Sequence, residues 1–371
     1  MNPIILAKRW DHHTNAGGYD RLAQFLDGHV VSPRSRSSIY SRLGAYLFRG
    51  LSKADKYLAA YSLEDLTTEL RVLTRAVIRR PDLIHCLYGD QQVDLLLRWR
   101  KCLPCPLIAT FHMPASVVRD RFEVYHAKYL GAVDAAVVVS QSQVEGYRAW
   151  FGNKVSYIPH GVNTDVITPA PRSGRREGNL KLLTVGECMR DWDVLHRVID
   201  GCAASRLPVE FDVLVPEWRR SHLTGCRNLR LHSGVSEAAL LELYRSADAL
   251  LLPVTDSTAN NALLESLACG TPVISTRVGG IPDYVDDSCG WLVPPGDSES
   301  MIEVIARICA DRRLAEEMRE AARTKALTFS WPVVAEAFQR LYASLLSGKV
   351  SESAFFNSGA RSAPLTDPRS E

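Results

Sequence analysis

Short, continuously apolar runs alternate with longer amphipathic segments along most of this chain. Runs in the first half include IILA from Ile4, LIATF from Leu107 and AAVVV from Ala135. Runs in the second half include LKLLTV, FDVLV and DALLLPV. Such runs are typical of strands buried on both faces, and the amphipathic segments between them are typical of helices. The pattern therefore predicts an α/β fold with parallel sheets covered by helices on both faces.

A stretch rich in Pro, Ser, Gly and Arg interrupts this alternation between Pro169 and Asn179 and predicts an inter-domain linker. With 371 residues the chain is long enough for two domains, and two halves joined by a linker would enclose a cleft. We expect domains over residues 1–168 and 169–328 and a final helix over 329–346. Residues 347–371 are poor in apolar side chains and predict a disordered tail.

The stretch from Leu252 to Val285 predicts a strand, a turn, a helix and a second strand. The first turn of a helix favours an anionic group, because its backbone N–H groups are unpaired and carry partial positive charge. Glu265 lies one turn further on, where its carboxylate could reach sugar hydroxyls above the helix start. The alternative is a capped core helix with a solvated Glu265. The turn offers four polar side chains for capping or ligand contact: Ser257, Thr258, Asn260 and Asn261.

Two further positions predict ligand contact in the first half. Gly17 and Gly18 lie between the first strand and a helix predicted over DRLAQFL, and paired glycines let a backbone approach a ligand closely. A tight turn without a ligand is the alternative. His112 follows a strand, and the carboxyl end of a strand in an open α/β sheet faces the ligand crevice. The glycines do not form a GxGxxG fingerprint, so a dinucleotide site has little support.

Composition narrows the class of protein. Apolar residues make up 46% and charged residues 23%, as in soluble globular proteins. Nine cysteines without a framework spacing, no signal peptide and no apolar stretch of membrane-spanning length predict a cytoplasmic protein. A net charge of +2 gives no reason to expect a nucleic-acid partner, and no metal-ligand spacing is evident. We expect no metal and no cofactor.

Residues 34–56 carry six basic side chains and one acid, Asp55, with apolar residues at helical spacing between them. A basic amphipathic segment can lie on an anionic membrane, which would place the protein at the inner membrane face. The alternative is a solvated helix face that covers the core.

The order of motifs resembles that of the family 4 retaining glycosyltransferases, which have the GT-B fold. The most specific motifs are LLESLACGTPVISTRVGGIPDYV and the following GWLVPPGD, supported by IPHGVNTDVITP and by FSW at Phe329–Trp331. The resemblance implies two Rossmann-like domains, the first for an acceptor and the second for a nucleotide-sugar, with the last helix crossing back to the first. It implies a place for His112 beside the transferred sugar, and it makes Arg190 and Asp256 catalytic candidates in place of family residues that this chain lacks. It implies donor contacts at Gly17, Gly18, Gly186, Arg190, Val235, Asn260, Asn261, Ala262 and Glu265.

The chain departs from the family pattern at two points. Ser257 stands where the family usually has a second acid, so that Asp256, Asn260 or Asn261 would have to take over its contacts. Glu187 follows Gly186 where an arginine is usual, which leaves Arg190 as the cation for the leaving diphosphate.

The resemblance implies metal-independent, retaining transfer from a UDP- or GDP-sugar to a glycan, lipid-linked or small-molecule acceptor. An alternative is a nucleotide-sugar-binding partner subunit with weakened or lost catalysis. Another is a GT-B enzyme of a different reaction type, such as a sugar epimerase or phosphorylase.

Overall fold

The computed structural model describes residues 1–10, 15–33, 62–127, 129–171, 178–223 and 228–348. Within these ranges the chain forms two six-stranded sheets in which neighbouring strands are parallel, as predicted. The basic segment 34–56, most of the predicted linker and the tail from 349 onward lie outside the described residues. The domain boundaries at 168 and 328 stay predictions.

The first sheet has the strand order β2-β1-β3-β4-β5-β6, and the second has the order β12-β11-β10-β7-β8-β9. The strands of the first sheet are β1 Ile4–Leu6, β2 His29–Val31, β3 Ile84–Cys86, β4 Leu107–Phe111, β5 Ala135–Val138 and β6 Val155–Tyr157. The strands of the second sheet are β7 Leu180–Val185, β8 Val209–Leu214, β9 Leu229–His232, β10 Ala249–Leu252, β11 Val273–Thr276 and β12 Gly290–Val293.

Helices connect the strands and pack on the sheets. Those of the first half are α1 Leu63–Arg79, α2 Asp94–Arg98, α3 Ala115–Asp120 and α4 Gln141–Phe151. Those of the second half are α5 Trp192–Ala204, α6 Glu237–Ser246, α7 Asn261–Ala268, α8 Ile281–Tyr284, α9 Ser298–Ala310, α10 Arg313–Leu327 and α11 Trp331–Leu346. Several begin at a side chain that accepts a backbone N–H, such as Ser62, which forms a capping box with Asp65 at the start of α1.

The predicted crossing of the last helix is confirmed. Helix α11 leaves the second sheet and packs against the first, where the Tyr342 hydroxyl lies 2.6 Å from His85 Nδ1. The other ring nitrogen of His85 lies 2.8 Å from the Thr110 hydroxyl. His85 is completely buried, and burial lowers its pKa to about 3, so the ring is neutral. Both nitrogens of a neutral imidazole are thereby satisfied inside the core.

The two halves share one apolar core. A single cluster of buried side chains runs from Ile5 and Leu22 in the first half, through Trp331 and Phe338 of α11, to Leu263 of α7. Separate clusters fill the outer face of each sheet. Because buried apolar area is the main favourable term in folding, this shared cluster holds the two halves against each other.

Polar contacts fix the seam between the halves. The Asp283 carboxylate accepts from the Ser140 hydroxyl at 2.9 Å and from the Gln141 N–H at 2.8 Å. The Tyr284 hydroxyl donates to the Val139 carbonyl and accepts from the His160 N–H at 2.9 Å. A short helix, α8, thus binds the start of α4 in the other half.

The turn before α8 leaves no room for a side chain. A Cβ at Gly280 would fall well inside van der Waals contact with the Thr258 carbonyl oxygen and the Ser140 Oγ. Gly280 therefore lets the polar turn 255–260 and the start of α4 approach each other.

One element differs from the prediction. The run DRLAQFL was expected to form an α-helix, but residues Tyr19–Gln24 form a six-residue 3₁₀ helix. No side chain caps its start at Gly18, whose φ of 95° departs from helical values. A short uncapped segment gains little from α-helical hydrogen bonding, so packing decides its conformation.

Candidate functional site

A cavity with about 200 Å³ of empty space, part of it open to solvent, lies where the two halves and the last helix meet. The first half contributes the glycine pair Gly17 and Gly18. The second half contributes Asn261 and Glu265 from α7, and α11 contributes Trp331. Four of the predicted donor-site residues thus lie around one cavity. The glycine pair and the two residues of α7 are about 240 residues apart in the sequence.

Helix α7 directs its N-terminus at this cavity. The Asn260 side chain caps the helix by accepting the Leu263 N–H at 3.3 Å, as the sequence predicts. Asn261, the first helical residue, lines the cavity, and every following residue from Ala262 to Ala268 is buried. The helix start therefore presents backbone N–H groups and partial positive charge to whatever occupies the cavity.

Glu265 is a buried carboxyl group in the cavity wall. Glu265 is only 8% exposed to solvent. Burial raises the pKa of Glu265 to about 7; the nearby Tyr244 phenol acts to lower it and the negative charge of Glu237 to raise it. A carboxylate at this position costs free energy when it has too few donors, and hydroxyl groups of a ligand would supply them.

The glycine pair is tied to the opposite half. The Ala16 N–H donates to Glu237 Oε1 at 2.7 Å, and Glu237 is the first residue of α6. This contact shows that a negatively charged hydrogen-bond acceptor can reach the backbone N–H groups beside the glycine pair. Sequence reasoning missed Glu237, because its only sequence signal is that of an acidic residue in the first turn of a helix.

His112 lies at the seam and not in the cavity wall. Its Nε2 is 2.8 Å from the Leu87 carbonyl oxygen, and because a carbonyl only accepts, Nε2 carries a proton. The ring packs edge-on against Tyr19, with centroids 4.4 Å apart. The His112 carbonyl accepts from the Thr258 hydroxyl, which belongs to the polar turn before α7.

Arg190 is buried beneath the turn that follows β7. Its guanidinium donates to the Val185 carbonyl from Nε at 3.1 Å and from Nη2 at 2.6 Å, and to the Cys188 carbonyl at 2.9 Å. Burial lowers the pKa of Arg190 to about 10, so the group stays cationic at neutral pH. Nη2 lies so close to Gly186 that a Cβ there would be 3.1 Å away.

The remaining predicted residues do not line the cavity. The Asp256 carboxylate accepts the Ser257 N–H at 2.7 Å and lies against Gly279. It therefore caps its own turn and does not point into the cavity wall. The predicted residues outside that wall are His112, Gly186, Arg190, Val235, Asp256, Asn260 and Ala262.

Trp331 is the largest residue of the cavity wall that sequence reasoning gave no role. It is 1% exposed, and its ring lies 5.3 Å from His160 and 5.6 Å from Tyr19, centroid to centroid. Gly161 makes room for the indole, because a Cβ there would overlap the ring. The FSW motif that carries Trp331 was visible in the sequence, but nothing in the sequence places the ring in a cavity.

No group of three or more His, Cys, Asp or Glu side chains that could hold a metal ion occurs within the ranges that the structure covers. Across the same ranges, none of the helices has the length and apolar character needed to cross a membrane.

Comparison with known families matches both halves of the chain. Residues 23–166 match the model of Glycosyltransferase Family 4, and residues 175–311 match the model of Glycosyl transferases group 1. Among curated relatives, the D-inositol 3-phosphate glycosyltransferase of Corynebacterium jeikeium (strain K411) is 27% identical over an alignment of 378 positions, gaps included, that covers 88% of this chain and 86% of the relative. The phosphatidyl-myo-inositol mannosyltransferase of Mycobacterium leprae (strain TN) is 26% identical over 253 residues, covering 64% of this chain and 67% of the relative.

Solved structures share the fold. A glycosyltransferase from Rickettsia africae ESF-5 superposes with a TM-score of 0.65 at 15% identity, over 93% of this chain and 98% of that one. Anabaena Alr3699/HepE in complex with UDP-glucose superposes with a TM-score of 0.65 at 14% identity, over 94% of this chain and all of that one.

Proposed function

Because the chain belongs to the family 4, group 1 glycosyltransferases and has the GT-B fold, we propose that it transfers a sugar from a nucleotide-sugar to a glycan, lipid-linked or small-molecule acceptor. We propose that the anomeric configuration is retained and that no metal takes part. The donor is a UDP- or GDP-sugar. The complex of Anabaena Alr3699/HepE with UDP-glucose supports such a donor, and the names of the two curated relatives support a polyol phosphate or a lipid as acceptor.

One observation carries this proposal: Glu265, the start of α7 and the Gly17–Gly18 turn surround a single cavity. A carboxylate suits the two hydroxyls of a ribose, whereas a helix start and a glycine turn suit a diphosphate. These groups make complementary contacts to the two ends of a nucleoside diphosphate. The unusual pKa of Glu265 agrees with a functional position, since perturbed carboxyl groups concentrate at such sites.

The difficult event in this reaction is departure of the nucleoside diphosphate. Groups that stabilise the charge growing on the leaving oxygen lower the barrier without a metal. The start of α7, the backbone at Gly17 and Gly18, and the cation of Arg190 serve this purpose in our proposal. The departing phosphate oxygen then takes the proton of the acceptor hydroxyl, and His112 lies beside the transferred sugar.

The cleft must open for the donor to enter. The enclosed space of this cavity is far smaller than the roughly 300–1,000 Å³ of usual small-molecule sites. The contact between Ala16 and Glu237 spans the cleft, so opening breaks it and closure restores it. Closure around the donor would exclude water from the reacting groups.

Arg190→Ala is expected to lower kcat/KM for the donor about 100-fold, the order found when one group that stabilises a developing anion is removed. Arg190→Lys should recover part of the loss, because a cation remains. The measurement is release of nucleoside diphosphate from the donor, with circular dichroism to verify folding. Arg230→Ala is the matched control, since the Arg230 side chain is 57% exposed and pairs with Glu210 at 2.9 Å. Wild-type activity in Arg190→Ala would refute the assigned role.

The alternative of a binding subunit rests on two contacts. The Asp256 carboxylate is engaged by its own turn, and Arg190 is engaged by backbone carbonyls. Saturable donor binding, without diphosphate release in the presence of any acceptor extract, would favour this alternative.

We further propose that the protein works in the cytoplasm and reaches the inner membrane face through residues 34–56. Neutralising Arg42, Arg49 and Lys53 should weaken binding to anionic liposomes about 100-fold, at about 1 kcal/mol per cation. The control neutralises three exposed arginines elsewhere: Arg230, Arg313 and Arg340. Equal losses in both triple variants would rule out a specific role for the segment.

A further inference from the structure

Asp90 is a buried carboxylate that none of the roles above uses. It follows β3 at the end of the turn Leu87–Asp90 and is 5% exposed. Carboxylates are rarely buried unless specific donors compensate for the lost hydration, so its partners indicate what it does.

Both oxygens of Asp90 face the segment that carries His112. Oδ2 accepts the His112 N–H at 2.5 Å, and Oδ1 lies 3.4 Å from the Met113 N–H. Oδ1 also lies 3.3 Å from the Tyr147 hydroxyl, which itself donates to the Met113 carbonyl at 3.0 Å. Hydrogen bonds to an ionised acceptor are about twice as strong as neutral ones, so this carboxylate holds the His112–Met113 backbone firmly.

The same turn also holds the imidazole ring. The Leu87 carbonyl accepts from His112 Nε2 at 2.8 Å, and the Tyr88 ring packs on the imidazole with centroids 5.0 Å apart. Backbone and ring of His112 are therefore both fixed by residues 87–90. On the opposite side, Thr258 of the donor half binds the His112 carbonyl.

We propose that Asp90 is a positioning residue: its ionised carboxylate holds the His112–Met113 backbone in the orientation that places the imidazole at the seam between the two halves. The kinetic consequence rests on the proposed function, whereas the structural consequence does not. Asp90 does not touch the donor cavity, so its loss should lower kcat and leave the donor KM unchanged.

The environment of Asp90 makes this contact sensitive to pH. Burial raises the pKa of Asp90 to about 6, although the His112 and Met113 N–H groups, the Arg121 cation and the Tyr147 hydroxyl all act to lower it. The neighbouring Cys86 thiol is buried and feels the negative charge of Asp90, and Arg121 is itself paired with Asp94 at 2.6 Å. Because the folded pKa lies above the ordinary value, the carboxylate takes up a proton as pH falls through about 6, and the charge-assisted bonds to His112 weaken.

Proton–nitrogen correlation spectra of the protein labelled with ¹⁵N-histidine test the structural consequence without any substrate. The backbone amide signal of His112, assigned by its loss in His112→Gln, should titrate with a midpoint near pH 6. In Asp90→Asn this titration should vanish. The wild-type titration needs no variant, so it stands even if Asp90→Asn folds poorly. A His112 amide that does not move between pH 5 and 7, or that moves equally in Asp90→Asn, overturns the proposal.

Kinetics test the second consequence. Asp90→Asn should lower kcat about tenfold at pH 7.5, leave donor KM unchanged, and remove the fall in kcat at saturating donor that we expect of the wild type below about pH 6. Asp94→Asn is the matched control. It removes a buried carboxylate that pairs with Arg121, whose guanidinium donates to the Asp90 backbone carbonyl, yet it should keep both the His112 titration and the fall in kcat at acidic pH. A normal amide titration with no transferase activity would contradict the proposed function and leave the positioning role intact. Unchanged kinetics in Asp90→Asn, together with the expected His112 titration in the wild type, would show that Asp90 positions His112 without affecting catalysis. That result would overturn the predicted loss of kcat.

Discussion

Glu265→Ala is expected to lower kcat/KM for the donor by about 100-fold or more while the protein stays folded. A hydrogen bond to a charged group contributes about 1.5–3 kcal/mol, and one carboxylate can accept from two ribose hydroxyls. Together these bonds correspond to a factor of roughly 10²–10⁴ in binding. The fold should tolerate the change, because burial raises the pKa of Glu265 to about 7 and the ionised group therefore gains little from its surroundings. Steady-state rates of diphosphate release measure the effect.

The pH dependence of donor binding supplies an internal check on Glu265. In the donor-free protein the carboxyl group takes up a proton as pH falls below about 7. The protonated group turns one oxygen into a donor and accepts hydrogen bonds more weakly than the carboxylate does. Donor KM should therefore rise between pH 8 and pH 6 in the wild type and stay flat in Glu265→Gln. Glu242→Ala is the control for the loss of a carboxylate from the same half, because Glu242 is 67% exposed. A Glu265→Ala enzyme with wild-type kcat/KM contradicts the assignment.

Trp331→Ala is expected to lower the free energy of unfolding by about 3–5 kcal/mol, the range for deletion of a large buried aromatic side chain. Trp331 is 1% exposed and belongs to the apolar cluster shared by both halves. Its removal leaves a cavity beside Gly161, which a rigid backbone cannot fill. Guanidinium denaturation followed by circular dichroism measures the loss.

Trp218→Ala is the matched control for this loss. Trp218 is 59% exposed and packs mainly on Arg219, so its removal should cost about 1 kcal/mol or less. If Trp331→Ala and Trp218→Ala unfold at the same denaturant concentration, the indole does not hold the two halves together.

The two sheets could be predicted from the sequence because their strands are buried on both faces. A fully buried strand such as Leu107–Phe111 must be continuously apolar, and a continuous apolar run is visible without any structure. Helix α7 was predictable for a similar reason, since Asn260 caps its start and Gly270 follows its end. The position of Glu265 one turn into this helix made it a candidate ligand contact, and the resemblance to a known family assigned that contact to the donor.

The contacts across the cleft could not be predicted in this way. Ala16 and Glu237 are 221 residues apart, and Thr258 and His112 are 146 apart. Each of these residues has an ordinary local explanation as a turn residue, a cap or a strand end. Their pairing depends on how two finished domains meet, which no local pattern records.

The surroundings of individual polar side chains could not be predicted from the sequence either. Arg190 looks in the sequence like a side chain free to contact a phosphate, yet its guanidinium donates to the Val185 and Cys188 carbonyls, so that in our proposal it acts on the diphosphate through its charge. Asp256 looks like a substitute for the missing acid, yet it caps its own turn. Burial and backbone partners decide what such groups can do, and both arise only once the chain has folded.

The central claim is that the cavity around Glu265 is a nucleotide-sugar site, and equilibrium binding of nucleoside diphosphates tests it most directly. Isothermal titration calorimetry with UDP, GDP and ADP would be performed on the wild type, Glu265→Ala and Glu242→Ala. We predict that UDP or GDP binds the wild type and Glu242→Ala with the same affinity and binds Glu265→Ala at least about 100-fold more weakly. Absence of binding by all three diphosphates, or equal affinity in all three proteins, would contradict the claim.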